Sequence, residues 1–328
     1  MVREKCVVLE NKKVAPGHFV LTCASRAISK NARPGQFAQI LCEESTDPLL
    51  PRPFSFLTAA QNHFSVLYHV VGKGTGSLAQ KKKGDFLWVL GPLGNGFTLG
   101  RETFDEGRRT KDEGRGTAQT VSSIVHRSSS IVLVGGGVGI PPLYHLAQLL
   151  VKKMKPENIH VFLGARDKSL LLCEKEFKKL GAELHLATDD GSKGKKGFVT
   201  GILEEFIQGR QKTVVSSQEK QKAYPSTVYR LLSTKIYACG PTPMLKAISL
   251  VSQKYEVPCE VSVEVPMACG FGACIGCAIK VRSQKTEDRR QKLQKNLSSD
   301  VCHLSSEHRY AIACTEGPVF QAKDILWK

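Results

Sequence analysis

Three cysteines, Cys269, Cys274 and Cys277, stand within ACGFGACIGCAIKV at 268–281. The gaps between them are four and two residues, and further cysteines follow at Cys302 and Cys314. That spacing is the one used by thiolates that hold a 2Fe–2S cluster. Such a loop must wrap an inorganic core closely and turn backbone N–H groups toward sulfur. Gly270, Gly272, Ala273 and Gly276 supply the small residues this requires. Cys302 and Cys314 both qualify as the fourth ligand. Cys302 follows a polar stretch, whereas Cys314 sits in an apolar run before TEGPVF and is favoured. Zinc would also accept four thiolates, but it more often takes paired short Cys-x-x-Cys knuckles, and one such pair is present here.

Two further motifs are phosphate seats of the strand–glycine–helix kind. In SIVLVGGGVGIPPLYHLAQLL (130–150) a buried strand runs into Gly135, Gly136, Gly137 and Gly139, and an apolar-periodic helix with proline in its first turn follows. Glycines admit a phosphate close to the backbone, and the helix N-terminus offers N–H groups. Ile140 occupies the third glycine position of the usual dinucleotide fingerprint, so a plain tight turn is the competing explanation. CGPTPML (239–245) repeats the arrangement: Cys239, Gly240 and Pro241 end a strand, and Thr242 is expected to cap the next helix. Cys239 is a candidate neighbour of a nicotinamide, although a lone cysteine there also suits packing.

Near the N-terminus, LPRPFSF (50–56) groups Arg52, Pro53, Phe54 and Ser55. On a strand Arg52 and Phe54 share one face and Ser55 takes the other. An arginine suits a pyrophosphate, an aromatic ring can cover a flavin, and a serine can reach a ring nitrogen. An ordinary edge-strand arginine is the alternative. VVGKGTGSLAQ (70–80) gives another glycine loop feeding a helix, with Gly74 and Thr75 at its start.

The elements that must position these groups follow from pattern. Residues 1–100 hold short Val/Phe/Leu-bearing runs at close spacing, the pattern of an antiparallel barrel or sandwich. Residues 101–129 are polar and Gly/Arg-rich and read as a linker or insertion. Residues 130–257 alternate strand-like and helix-like segments, as in a parallel α/β sheet, with a polar insertion at 209–233. Residues 258–328 carry the cysteines and a basic insertion at 282–308. The 328 residues are too many for one ordinary core, so a multidomain chain is expected.

Composition narrows the function classes. With 41% hydrophobic and 23% charged residues the chain is globular. The net charge of +17 lies largely in polar stretches without interleaved aromatics, which read as solvated loops and not as a nucleic-acid surface. The first residues lack a long apolar segment, and no apolar run reaches about 18 residues, so neither a leader nor a membrane span is expected. Eleven cysteines, an odd number, fit a reducing cytoplasm and not a disulfide scaffold.

In this order the motifs RPFS, GKGTGSLA, GGGVGIPPL, TDDGSKGKKGFVT, CGPTPML, MACGFGACIGCA and CTEGPVF resemble the ferredoxin-reductase superfamily. Within it they are similar to the electron-transfer subunits of bacterial-type, NAD-dependent dihydroorotate dehydrogenases. The resemblance implies a flavoprotein of pyrimidine biosynthesis with FAD, a 2Fe–2S cluster and NAD. Arg52, Pro53, Phe54 and Ser55 would hold FAD, Leu67, Tyr68 and His69 would flank its ring, and Gly74 and Thr75 would seat its pyrophosphate. Gly135, Gly136, Gly137, Gly139, Cys239, Gly240 and Pro241 would frame NAD, and Cys269, Cys274, Cys277 and Cys314 would ligate the cluster. It also implies a separate FMN-containing catalytic subunit, in a two-plus-two heterotetramer, since this chain has no set of eight βα units. The long Cys277–Cys314 interval, with its extra Cys302, departs from the family pattern. A stand-alone NAD(P)H reductase serving an oxygenase or hydrogenase would share the same domains, and a zinc-bearing basic binding module is the alternative from another class.

Overall fold

The structure is a computed structural model and describes residues 1–99, 130–218, 234–283 and 308–327, with side chains in the 199–218 helix described as far as 210. The expected insertion at 101–129, most of the one at 282–308, and Cys302 lie outside the described residues.

The first hundred residues form a barrel and not a sandwich. Strands β1 (Val2–Ala15), β2 (His18–Ala24), β3 (Phe37–Leu41), β4 (Arg52–Ala60), β5 (His63–His69) and β6 (Phe86–Leu93) close in the order β1-β2-β5-β4-β3-β6. Alternation decides what faces inward. Ala38, Ile40, Phe54, Phe56, Phe64 and Val66 fill the barrel interior. Phe37 joins a different apolar cluster with Leu93, Cys277 and Cys314. Two short helices accompany the barrel, α1 (Arg26–Asn31), capped by Ser25, and α2 (Lys73–Gln80), which starts after Gly72.

The second body is a seven-stranded sheet. Its strands are β7 (Ser130–Gly136), β8 (Ile159–Ala165), β9 (Glu183–Thr188), β10 (Lys195–Lys196), β11 (Thr234–Cys239), β12 (Cys259–Ser262) and β15 (Val319–Gln321), in the order β10-β9-β8-β7-β11-β12-β15. All pairings are parallel except that of β15. The chain runs outward from β7 through β10 and then returns to β11 on the other side. The gap between β7 and β11 is therefore a switch point, where open α/β sheets bind ligands. Strand β7 is buried along its whole length because helices cover both faces. Ile131 and Leu133 pack with α3 (Ile140–Leu150) and α4 (Glu174–Lys179), whereas Val132 and Val134 pack with α5 (Val199–Gln218) and α6 (Thr242–Lys254).

The first part of the polar insertion expected at 209–233 is helical, since α5 runs on to Gln218. One local expectation is corrected. Thr242 is the first residue of α6 and not its cap; Pro241 takes the cap position without a side-chain bond.

The cysteine segment is woven into this frame. Within 258–328, β12 and β15 extend the sheet, and β13 (Ala278–Arg282) pairs with β14 (His308–Ile312) as a two-stranded ribbon. The barrel is tied to both. Buried Glu260 accepts from Lys235 Nζ at 2.9 Å, from Gln321 Nε2 at 3.1 Å and from the Thr98 N–H at 2.8 Å. The Asn95 side chain donates to the carbonyls of Thr315 and Glu316. No helix among the described residues is long and apolar enough to cross a membrane.

Candidate functional site

A cavity of about 320 Å³ opens between the barrel and the carboxyl ends of the sheet strands. The barrel lines it with Arg52, Pro53, Phe54 and Ser55 from β4 and with Leu67, Tyr68 and His69 from β5. The four residues of the RPFS motif and the three that the family resemblance alone singled out thus meet on one wall. A larger, open hollow of about 800 Å³ lies outside the barrel beside Lys81, Lys82 and Lys83. Its Asn11 amide donates to the carbonyls of Leu78 and Lys81, and none of the residues grouped from sequence lies in it.

Arg52 defines the phosphate end. Its guanidinium lies 3.4–3.5 Å from where a side chain on Gly74 would begin. Gly74 and Thr75 lie in the first turn of α2, so a fixed cation faces the positive end of a helix. That arrangement suits a pyrophosphate between them. Thr75 Oγ1 accepts from the N–H groups of Val71 and Gly72 and so fixes the turn.

The ring end is apolar and stiff. Phe54 leans on Tyr68 with centroids 5.7 Å apart and ring planes at 59°. The Tyr68 hydroxyl donates to Asn11 Oδ1, and burial pushes its pKa up to about 12. His69 stacks on His18 at 4.3 Å and 5°, and burial followed by the neighbouring imidazole lowers its pKa.

Across the cavity stand Val138, Cys239 and the segment from Ser262 to Met267. Gly135 and Cys239 are register partners on β7 and β11, so both glycine motifs reach the switch point together. A side chain on Gly136 would meet Met244 Sδ at 3.0 Å, and Gly137 takes a left-handed φ of 56°. Gly240, at φ 156°, leaves room for Met244, and Pro241 starts the turn into α6.

Burial raises the Cys239 thiol well above its ordinary value, and the Glu264 carboxylate adds to this. Glu264 lines the cavity as an exposed residue, yet protein packed around its carboxyl raises its pKa by desolvation. Sequence reasoning missed Ser262, Glu264 and Met267. A single glutamate beyond a strand has no partner spacing; only its place between Cys239 and the cysteine loop exposes it.

Two residues beyond Met267 the cysteine loop begins. Gly270 and Gly272 have φ of 82° and 89°, which lets successive N–H groups turn inward. Gly272 N–H donates to Cys314 Sγ at 3.1 Å, Cys274 N–H to Cys269 Sγ at 3.5 Å and Cys314 N–H to Cys277 Sγ at 3.4 Å. The sulfurs pair by thiol contact, Cys269 with Cys274 and Cys277 with Cys314. Cys314 also feels Cys269, so the four sulfurs gather in one place, as thiolates that hold a 2Fe–2S cluster must. Burial alone would raise the Cys269 thiol, but N–H groups of Cys274, Phe271 and Ala273 and the Cys274 thiol bring it down to about 6. Burial, then the Cys277 thiol, pushes Cys314 up to about 12. Cys314 thus joins the other three, in the turn after β14.

His160, Glu183 and His185 also converge, at the opposite end of β8 and β9. Arg210 Nη1 stands 3.2 Å from His160 Nε2, which must accept; His160 Nδ1 then carries the proton and faces Glu183 at 3.0 Å, without good hydrogen-bond alignment. The Arg210 guanidinium sets a fixed positive charge against this polar cluster beneath α5, which disfavours a second cation there.

Residues 133–249 match the family described as "Oxidoreductase NAD-binding domain". Residues 264–292 match the "Iron-sulfur cluster binding domain of dihydroorotate dehydrogenase B". The "Dihydroorotate dehydrogenase B (NAD(+)), electron transfer subunit" of Caldanaerobacter subterraneus subsp. tengcongensis is 34% identical over 323 residues, 98% of each chain. The chain belongs to this electron transfer subunit family. The Geobacillus kaustophilus member is also 34% identical, over 328 residues, 99% of this chain and 98% of that one. Among solved structures, a chain from an NADH-dependent reduced ferredoxin–NADP oxidoreductase superposes with a TM-score of 0.68 at 27% identity, covering 98% of this chain and 90% of that one. A ferredoxin–NADP+ reductase from Neisseria gonorrhoeae shares the fold alone, with a TM-score of 0.53 and 14% identity over 77% of this chain and 91% of that one. As a member of the dihydroorotate dehydrogenase B electron transfer subunits, the chain is part of an oxidoreductase and works with a catalytic partner subunit. Its cofactors are NAD, a 2Fe–2S cluster and the FAD of the reductase fold. The stand-alone reductase is not favoured.

Proposed function

We propose that this chain takes electrons from an FMN-bearing dihydroorotate dehydrogenase subunit and delivers them to NAD+, in a two-plus-two assembly in the cytoplasm. Together the cofactors supply the exchange between single-electron and hydride transfer. Cys269, Cys274, Cys277 and Cys314 hold the cluster. Arg52 and the first turn of α2, at Gly74 and Thr75, grip the FAD pyrophosphate. Pro53, Phe54, Ser55, Leu67, Tyr68 and His69 confine its ring. Gly135, Gly136, Gly137 and Gly139 frame the NAD site at the switch point: Gly137 leaves the open space for a phosphate, and the other three let the strand ends and α3 and α6 pack closely around it. Cys239, Gly240 and Pro241 leave space for the nicotinamide, and Glu264 is placed to hold a proton beside it.

One observation carries the reading. Residues 262–269 run without a break from the edge of β12, along the cavity wall, to the first cysteine. Flavin cavity and cluster loop are therefore joined by one short segment, which suits electron passage between them. The outer side of that loop offers the docking face. Cys274 is exposed, and Phe271 and Ile275 beside it are 51% and 64% exposed. Exposed aromatic and aliphatic side chains in one patch mark a protein contact.

Anaerobic co-purification with an FMN-containing barrel subunit, followed by flavin, iron and dihydroorotate-driven NAD+ reduction assays, tests this. The expected result is a complex that reduces NAD+, which Phe271→Asp or Ile275→Asp dissociates. Failure to associate, with normal NADH turnover toward another acceptor, would sink the assignment.

A further inference from the structure

Gln39 lies on β3 with 1% of its surface exposed, and neither its amide nitrogen nor its amide oxygen has a partner. A buried, unpaired amide costs free energy, so its place needs an explanation. Its neighbours Ala38 and Ile40 point into the barrel core. Gln39 therefore points outward with Phe37, onto the side where Phe37 packs in one cluster with Cys277 and Cys314. The cysteine loop covers it there. A side chain on Gly270 would begin 2.6 Å from Gln39 Cγ and 3.1 Å from Gln39 Nε2, and Gly270 directly follows Cys269. On β4, Gln39 is the register partner of Pro53, which lines the flavin cavity. An outward-facing polar residue would ordinarily be hydrated. Here the residues that close over it are those of the cluster loop.

We propose that Gln39 is a tuning residue for the iron–sulfur cluster: its side-chain N–H groups donate to the sulfur core from the barrel side. This rests on the cluster assignment above. Backbone N–H groups serve the loop side, and Gln39 supplies a donor from the opposite wall. A donor favours the more negative, reduced state of a cluster, so it raises the reduction potential. The same contact fixes the loop against the wall that bounds the flavin cavity.

The test uses the full chain loaded with FAD, iron and sulfide. In Gln39→Leu and Gln39→Met, which keep the packing volume, the EPR-monitored midpoint of the cluster should move downward. A change of about tenfold in the reduction equilibrium is expected, as for loss of one hydrogen bond to a charged group, with the FAD midpoint unmoved. In the unsubstituted chain carrying 15N in its glutamine side-chain amides, the reduced cluster should show a weak 15N hyperfine coupling that Gln39→Leu removes. An unchanged cluster midpoint in variants with full iron content would overturn the proposal. So would the absence of a side-chain 15N coupling in the unsubstituted chain, which decides the matter even if both variants lose their cluster. Failure of the unsubstituted chain to take up iron and sulfide would instead overturn the cluster assignment itself, and this proposal with it.

Discussion

Gly139 packs directly on the backbone of Cys239. A side chain at Gly139 would begin 2.5 Å from the Cys239 carbonyl oxygen and closer still to the Gly240 nitrogen. Gly139 has φ −78°, so the demand is for space and not for an unusual conformation. This contact sets the turn after β7 against the end of β11, the two strand ends that flank the switch point. Gly139→Ala must push them apart. Overpacking of this kind costs about 1–3 kcal/mol. The variant should melt earlier and bind NADH about tenfold more weakly, while FAD binding stays unchanged. Calorimetry and NADH titration measure both.

Arg52 faces the start of α2 across the phosphate seat. Arg52→Leu should weaken FAD binding by about 1.5–3 kcal/mol, the worth of a hydrogen bond to a charged group. Arg52→Lys keeps the charge and loses the fork, so it should fall between the two. Flavin release during dialysis, followed by fluorescence, reads the order. Iron content should be the same in all three proteins.

Cys314→Ser removes one member of the Cys277–Cys314 pair and should abolish the 2Fe–2S spectrum. Cys302→Ser should leave iron and sulfide content intact. Retention of a full cluster in Cys314→Ser, with loss in Cys302→Ser, would reverse the ligand assignment.

Two buried histidines make stability fall in mild acid. His145 on α3 is lowered by burial to about 4, and His160 is lowered to about 4, chiefly by burial. An unfolded histidine titrates near 6.5, so between about pH 6.5 and 4 the unfolded chain binds more protons. Stability is full above that window and is lost as pH falls through it. His145→Leu removes one of the two contributions, so its denaturation midpoint should depend less on pH between 6.5 and 4 than that of the unsubstituted chain. An unchanged slope would show that His145 does not titrate on unfolding.

Much of this was legible from local pattern, because the residues concerned act through the backbone they belong to. The strand SIVLVGG, its glycines and the proline-led helix follow from burial and turn chemistry alone. The cysteine spacing likewise encodes a loop geometry. What stayed hidden depends on approach between distant segments. Barrel closure requires β1 to find β6, with Val2 opposite Gly91, and periodicity carries no such information. Glu264 becomes notable because Cys239 stands near it, and Gln39 because Gly270 closes over it. Nor could pattern tell that β12 and β15, on either side of the cysteine ribbon, belong to the sheet. Their pairing is set by the Glu260 network with Lys235, Gln321 and Thr98, which draws on four separate parts of the chain.

The central claim is that cavity, switch point and cysteine loop form one electron route. An anaerobic titration of the FAD- and iron–sulfur-loaded chain with NADH tests it most directly. The account predicts loss of oxidised-flavin absorbance together with the rhombic EPR signal of a reduced 2Fe–2S cluster, with no partner subunit present. Flavin reduction that leaves the cluster oxidised, despite a midpoint within reach of NADH, would contradict it.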